Sequence, residues 1–227
     1  NQFANPSGTS QSVIGFGGGI GVMADPVSTI ATFVGAAATA KILATPAPTL
    51  SYPKGVWHYA RGMAFLGKGQ PAQARQELKQ LQAIADEPAH KELKIWNFNT
   101  TASILAIATE VLSGELAGKQ GKGEKAIAHL KAAVKLEDAL VYTEPPDWYQ
   151  PTRQALGGIL LKTGKAMAAE QTYREDLKIY PENGWSLNGL AQSLQAQGKM
   201  KEAQSIQMRL QTAWKNADIP LTALRSK

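Results

Sequence analysis

A short glycine-to-alanine pattern occurs four times in the last two-thirds of this chain. Each copy places a glycine five residues before an alanine, and the copies occupy residues 69–74, 121–126, 164–169 and 198–203. The last two glycines, Gly164 and Gly198, are 34 residues apart, as are Ala169 and Ala203. A period of this length is typical of arrays of helical hairpins, which more often bind other molecules than transform them.

Charge is unevenly distributed along the 227 residues. The first 50 residues contain only two charged side chains, Asp25 and Lys41, so the net charge of +6 belongs to the repeats. Lysines and acids alternate there, and no basic block suited to a nucleic-acid backbone is present. The chain has no cysteine, which excludes disulfides, thiolate nucleophiles and cysteine metal sites.

Residues 1–50 are predicted to form an apolar extension rich in glycine and alanine. Asp25 and Pro26 have the form of a helix start, and the apolar run 27–43 has 17 residues. A helix of that length covers about 25 Å, less than the roughly 30 Å of a bilayer core. Packing against the repeats or a partner is favoured, with membrane contact through 13–44 as the alternative. Because the chain begins with Asn1, we expect a processed or fragmentary product. Its location is unknown, with a membrane or an organelle as candidates.

Residues 51–227 are predicted to be almost entirely helical. Apolar residues recur at helical spacing, Pro71 stands at a helix start, and Pro181 follows a helix end. The fold class expected is therefore all-α, a right-handed α-solenoid of about four helical hairpins. The predicted helices are 55–66, 71–85, 90–117, 124–136, 151–163, 166–179, 184–196 and 200–216.

The repeats resemble the tetratricopeptide repeat (TPR) family. Residues 150–183 carry the family's Leu-Gly pair, its small residue, the aromatic residue four positions later and its closing proline. These are Leu156, Gly157, Ala169, Tyr173 and Pro181. Asp176 replaces a usual small residue, so looser packing is expected there. Residues 184–217 match less well, as a terminal repeat with one solvated face should.

Two inserts interrupt the period, and the second forms an unusual loop at residues 137–150. It is acidic, aromatic and proline-rich, and contains Glu144, Pro145, Pro146 and Trp148. With Tyr173–Leu177 and Trp214, it is similar to the C-terminal region of a longer, bacterial-type TPR family. That resemblance covers 52–226 and implies no activity, because the family has none that transfers.

Known catalytic and cofactor patterns fail in this chain. Gly19, Gly21 and Ala24 imitate a dinucleotide fingerprint, but Pro26 interrupts the required helix and no acid follows at the right distance. Ser186 lies in a sequence similar to a nucleophile elbow that is one residue too long and has no histidine after it. The histidines lack metal-ligand spacing, so we predict no metal site. Because the cofactor and nucleophile patterns also fail, we predict that the chain binds no cofactor and is not an enzyme.

The acids of loop 137–150 leave one enzymatic alternative open. Glu137, Asp138, Glu144 and Asp147 are able to form an acid pair or a cation site, with Arg153 nearby in sequence. The favoured interpretation is a loop tied to the scaffold, with Arg153 pairing with one of these acids.

The predicted function is protein–protein interaction, as a scaffold, assembly factor or accessory subunit of a larger complex, such as a membrane complex. A third hypothesis is that the chain is a remnant of a longer protein and has only a structural role. Trp185 is expected to begin an amide-rich concave face without a lysine–arginine clamp, so an uncharged or mixed protein segment fits it, and no nucleic acid is predicted. The candidate partner-binding residues are Trp185, Asn188, Gln192, Gln195, Tyr142, Trp148, Tyr149 and Arg153.

Overall fold

The computed structural model describes residues 36–217, with side chains from Thr39 onward. The fingerprint-like glycines, the Asp25–Pro26 helix start and most of the apolar segment 13–44 lie outside the described residues. The helices are α1 Ala36–Ala44, α2 Ser51–Gly67, α3 Pro71–Ala85, α4 Ala89–Glu92, α5 Thr101–Lys119, α6 Gly123–Asp138, α7 Thr152–Lys162, α8 Ala166–Ile179, α9 Gly184–Ala196 and α10 Met200–Ala213. Two short antiparallel strands, β1 Lys94–Ile95 and β2 Asn99–Thr100, lie between α4 and α5.

The predicted all-α repeat fold is confirmed within residues 36–217. Helical hairpins α2–α3, α5–α6, α7–α8 and α9–α10 follow one another along the chain. Contacts divide the described chain into two compact units, residues 39–152 and residues 153–217, each containing two of these hairpins.

The turn inside each hairpin contains one of the glycines of the sequence pattern. Gly69, Gly121, Gly164 and Gly198 have φ values of 69°, 73°, 74° and 74°. L-residues with a side chain rarely adopt this left-handed conformation, and glycine does so without steric cost. Apart from the glycine and its two chain neighbours, no heavy atom of the described residues lies within 4 Å of where a β-carbon would stand at any of the four turns. The glycines therefore recur because of backbone conformation and not because of packing.

In the unit formed by residues 39–152, the core surrounds helix α5. This helix packs against α2, α3 and α6, so apolar side chains are buried around most of its circumference. That is why its sequence lacks a clear polar face. Fully buried core side chains include Leu66, Leu81, Leu105, Leu112 and Leu130.

In the unit formed by residues 153–217, the ring of Tyr173 fills the space between α7, α8 and α9. A β-carbon added to either Gly157 or Gly189 would overlap this ring. The two glycines therefore allow the helices to approach the tyrosine closely. The predicted role of Leu156, Gly157 and Tyr173 in packing this repeat agrees with their burial.

The prediction of a single helix over residues 90–117 is wrong. The structure has α4, the β1–β2 hairpin and then α5. Trp96 and Asn97 have φ values of 49° and 65°, and consecutive positive values are what a tight hairpin turn requires. Thr100 then caps α5, because its hydroxyl accepts a hydrogen bond of 3.1 Å from the backbone N–H of Ser103.

The chain just before α2 is held to that helix by hydrogen bonds to main-chain carbonyls. Trp57 Nε1 donates to the carbonyl of Thr45 at 3.0 Å, and Arg61 Nη1 donates to that of Leu43 at 2.9 Å. These bonds satisfy acceptors at and beyond the C-terminal end of α1, where helix carbonyls lack partners within the helix. Between residues 36 and 217 no helix has the length and apolar character that a bilayer crossing requires.

Candidate functional site

The β1–β2 hairpin places large apolar side chains in solvent. Trp96, at its tip, is 81% exposed, and Phe98 is 54% exposed. A bulky residue with a positive φ is uncommon, and strained positions of this kind concentrate at functional sites. Neither residue was expected at the surface, because the sequence interpretation placed both inside a helix. The run 95–101, with two asparagines, aromatic residues at alternate positions and two final threonines, was the signal for a hairpin.

Asn99 connects this hairpin to the acidic loop at residues 137–150. Its side-chain amide donates to the carbonyl of Val141 and to a carboxylate oxygen of Asp147, both at 2.8 Å. Its Oδ1 accepts from the backbone N–H of Val141 at 2.8 Å. Asn99 is buried, so these bonds form away from water, where a lost partner is costly. The hairpin and the loop are therefore fixed to each other.

Other hydrogen bonds fix the loop to itself and to the start of α7. Asp147 donates its backbone N–H to the hydroxyl of Thr143 at 3.1 Å, and Tyr142 donates its hydroxyl to Glu144. Glu137 accepts from the backbone N–H of Thr152 at 2.9 Å and also from its hydroxyl. This geometry supports the interpretation of a loop tied to the scaffold, because the carboxylates of Glu137, Glu144 and Asp147 accept structural hydrogen bonds.

The predicted aromatic residues of the loop divide into exposed and buried ones. Tyr142 is 79% exposed and Tyr149 is 66% exposed. Trp148 is only 6% exposed, and its ring meets that of Tyr59 edge-on at 5.5 Å between centroids. The expectation that Trp148 contacts a partner therefore needs correction, because its ring anchors the loop in the core. Burial raises the pKa of the Tyr59 hydroxyl, which stays neutral there.

Exposed apolar side chains on both sides of the Asn99 connection form what we call the hairpin–loop surface. Its members lie within three residues of Asn99 or of the two loop residues that Asn99 binds. They are Trp96, Phe98, Val141, Tyr142 and Tyr149.

The second predicted group of partner-binding residues lies along one face of α9, in the unit formed by residues 153–217. Trp185 is half-buried and meets Trp214 edge-on, with centroids 5.1 Å apart. Asn188 and Gln192 are half-buried, and Gln195 is exposed. Helical spacing places these four residues on the same side of α9.

Arg153 and Asp176 lie close to each other in this same unit. Arg153 Nε is 4.0 Å from the carboxylate of Glu175, so its predicted pairing with an acid of the loop stays a prediction. Asp176 is fully buried, which corrects the expectation of loose packing around it. Its Oδ2 accepts a hydrogen bond from the hydroxyl of Ser186. Asp176 is therefore held between the helices by a hydrogen bond, where the family's small residue would only pack. Burial raises the pKa of the Asp176 carboxyl, while Ser186, Gln154 and Arg153 act in the opposite direction.

Each of the three histidines has a structural partner. His58 Nδ1 lies 2.6 Å from Glu77, and His129 Nδ1 lies 2.7 Å from Glu110. His90 is buried, with Nδ1 2.9 Å from the hydroxyl of Thr101. Within residues 39–217, no cluster of three side chains of the types that bind metals is present.

Ser51 and His90 have the spacing of a nucleophile and base, but their hydrogen bonds do not have that direction. Ser51 Oγ lies 3.1 Å from His90 Nε2 and donates its proton to Glu87 Oε2 at 2.6 Å. A serine that donates to a carboxylate is not activated by the imidazole. This arrangement connects the start of α2 to α4 and gives no support to hydrolysis.

Comparison with known proteins identifies the fold only. No family model matches this chain, and no curated protein matches it. A solved structure that resembles it is described as a kinesin light chain of Podospora anserina with nearly identical TPR-like repeats. The match has a TM-score of 0.53 and 16% sequence identity, and covers 83% of this chain and 86% of that one. The resemblance to TPR repeats is thus confirmed for the fold.

Proposed function

We propose that this chain is a protein-binding module that acts as a scaffold, assembly factor or accessory subunit of a larger complex. The hairpin–loop surface is the observation that carries the proposal. Clusters of exposed aromatic side chains on an otherwise well-packed protein mark partner sites, and tryptophan and tyrosine supply much of the binding energy there. The TPR-like fold supports the same class of function, since stacked helical hairpins commonly present surfaces to other proteins.

The face of α9 is a second proposed contact. Helix α9, Gly184–Ala196, contains no charged residue, and Asn188, Gln192 and Gln195 provide amide donors and acceptors. Amides bind the main chain of an extended segment without selecting its charge. Together with Trp185, this face suits an uncharged or mixed segment of a partner.

The apolar extension supports membership of a larger assembly, which includes the proposal of a membrane complex. The extension, residues 1–50, has only two charged side chains, and a long apolar segment is stabilised by a partner or a membrane. Association with the native assembly should be weakened in a chain that lacks residues 1–35 and keeps α1. Unchanged association would show that the extension is not the point of attachment.

The test of the main proposal is co-purification from native membranes and from the native soluble fraction. Tyr142→Ser with Tyr149→Ser should abolish recovery of a partner that the unaltered chain retains. The matched control is Met167→Ser with Met200→Ser, because both methionines are exposed in the other unit. Equal recovery with all three proteins would contradict the proposal for this surface.

The enzymatic alternative obtains no support from the loop geometry. Its acids Glu137, Glu144 and Asp147 form hydrogen bonds with Thr152, Tyr142 and Asn99. Replacing Glu144 and Asp147 by alanine separates the two functions. An adaptor keeps partner binding or loses it together with the fold, whereas an enzyme loses turnover in a chain that remains folded.

A further inference from the structure

We infer that the hairpin–loop surface binds a protein segment that carries arginine or lysine side chains. This inference rests on the proposed function and specifies the chemistry of the partner. It is carried by the local charge, by the combination of groups on the surface and by the rigidity of the hairpin–loop connection.

The two segments that carry the surface are acidic in a chain that is basic as a whole. Segments 92–100 and 137–150 contain five acids and one cation, whereas the full chain has a net charge of +6. The acids are Glu92, Glu137, Asp138, Glu144 and Asp147, and the cation is Lys94. A local reversal of charge steers a cationic partner toward this part of the molecule and away from the rest.

The surface also offers the two kinds of group that a guanidinium binds elsewhere in this protein. Arg61 lies over the ring of Trp57 at 4.5 Å and over that of Phe65 at 5.3 Å. Its Nε also donates to Glu77 at 2.8 Å. Within the protein, a guanidinium is therefore held by aromatic faces and a carboxylate together.

Aromatic faces and carboxylates occur together again at the hairpin–loop surface, where they face solvent. Tyr142 and Glu144 are exposed and hydrogen-bonded to each other, so a ring and a carboxylate lie side by side. Trp96 adds the aromatic side chain that attracts cations most strongly. A cationic side chain of a partner would find here the two kinds of group that Arg61 contacts at its half-buried position.

Rigidity makes such a surface effective for binding. The bonds from Asn99 to Val141 and Asp147 hold the loop, and the left-handed backbone of Trp96 fixes the direction of the tip. A surface that is already ordered loses less entropy when a partner binds. The strain at Trp96 is consistent with a position that serves binding more than folding.

A protein segment fits this chemistry better than a lipid surface does. Exposed aromatic residues also insert at membrane interfaces, but the anionic lipids of a cytoplasmic leaflet attract basic segments. The acids of segments 92–100 and 137–150 oppose such contact. Residues 219–227 of this chain include Arg225 and Lys227 among aliphatic residues, so the chain's own tail is a competing occupant to be tested.

The test uses fluorescence anisotropy with three labelled ten-residue peptides that alternate leucine with arginine, serine or glutamate. We expect the arginine peptide to bind the full chain at least tenfold more tightly than the serine peptide, and the glutamate peptide not to bind. Affinity should fall as salt is raised, because the contact is partly ionic.

Variants test whether binding occurs at the hairpin–loop surface. Trp96→Asn with Phe98→Ser should weaken binding of the arginine peptide at least tenfold, since asparagine tolerates the left-handed backbone and keeps the hairpin folded. Glu144→Gln should weaken binding severalfold and reduce its salt dependence. Met167→Ser with Met200→Ser is the control and should bind normally, and circular dichroism should be unchanged throughout.

Each of the following outcomes would overturn the inference. Equal binding of the arginine and serine peptides removes the role of charge. Tenfold tighter peptide binding by a chain that ends at Ala217 assigns the surface to the chain's own tail. Binding to phosphatidylcholine–phosphatidylserine vesicles that is lost in the Trp96 and Phe98 variant assigns it to a membrane. If co-purification depends on Tyr142 and Tyr149 but the arginine peptide does not bind, the inference fails while the proposed function stands.

Discussion

His58 Nδ1 lies 2.6 Å from the carboxylate of Glu77, and this pair joins the two helices of hairpin α2–α3. In hairpin α5–α6, Glu110 and His129 form the same contact at 2.7 Å, with the residue types exchanged. Both pairs are separated by 19 residues. Equivalent positions of the two hairpins therefore hold one imidazole and one carboxylate in either order.

Exchanging the first pair tests this equivalence. The single changes His58→Glu and Glu77→His each place two like groups together at a buried site, and each should cost about 3 kcal/mol of unfolding free energy. The double variant restores an imidazole–carboxylate pair and should recover at least half of that loss. Urea unfolding measures all three. The same exchange at the more exposed Glu110 and His129 is the control and should cost well under about 1 kcal/mol.

Adding one methyl group beside Tyr173 should destabilise the unit formed by residues 153–217. In Gly157→Ala or Gly189→Ala the new β-carbon overlaps the tyrosine ring, and overpacking of this kind costs about 1–3 kcal/mol. Combining either change with Tyr173→Leu should recover part of the loss, because the smaller side chain leaves room. Thermal unfolding of the single and double variants measures the coupling. Purely additive losses would show that the ring is not the obstacle.

Removing the Asn99 side chain should release the acidic loop. Asn99→Ala leaves Asp147 and the backbone of Val141 without buried hydrogen-bond partners, at a cost of about 2 kcal/mol or more. Hydrogen exchange should accelerate across residues 141–149 while the helices stay protected. Asn99→Asp should destabilise the protein more than Asn99→Ala does, because it places a second carboxylate beside that of Asp147. Unchanged protection of the loop would mean that Trp148 alone holds it.

The buried carboxyl of Asp176 should make stability fall as pH rises. Its folded-state pKa is raised by burial, so the folded chain retains a proton that the unfolded chain has already lost. Stability is then greatest below the unfolded pKa and decreases as pH passes through the folded pKa. Asp176→Asn resembles the protonated form and should lack this decrease. Urea unfolding of both proteins from pH 3 to pH 8 gives the comparison, and parallel curves would contradict it.

Glu170 should produce the opposite dependence. Lys199, together with Gln197 and Arg174, lowers the pKa of Glu170 to about 2 from 4.5. Its contribution to stability is complete above the unfolded pKa and is lost as pH falls from about 4.5 through 2. Glu170→Gln should therefore be less stable than the unaltered chain at neutral pH and similar to it in strong acid. Thermal unfolding between pH 2 and pH 7 measures the difference.

Local patterns predicted most of the fold correctly. The helices around Pro71, Gly164 and Gly198 were predictable, because a proline at a first turn and a glycine with positive φ act through the backbone of a few residues. The β1–β2 hairpin was missed because apolar residues near Trp96 also satisfy a helical period, and short apolar runs do not distinguish the two structures.

The candidate site was less predictable because it depends on contacts between distant residues. Tyr142 and Tyr149 were recognised from the composition of their loop, which predicts exposure. The burial of Trp148 depends on Tyr59, and the position of the loop depends on Asn99, which lies 42 residues before Val141 in sequence. Neither contact has a signal in the neighbouring sequence. Trp96 and Phe98 were missed for the same reason as the hairpin that carries them.

The open space around the hairpin turns makes this protein simple to label. The chain has no cysteine, so one cysteine introduced beside Gly121 or Gly198 would be its single thiol. In the part of the chain that the structure describes, only the glycine and its two chain neighbours lie within 4 Å of a β-carbon position at either site, so a dye or spin probe attached next to it has room in solvent. A probe at either site would report on the mobility of that hairpin turn in solution while the aromatic residues near Asn99 remain unmodified.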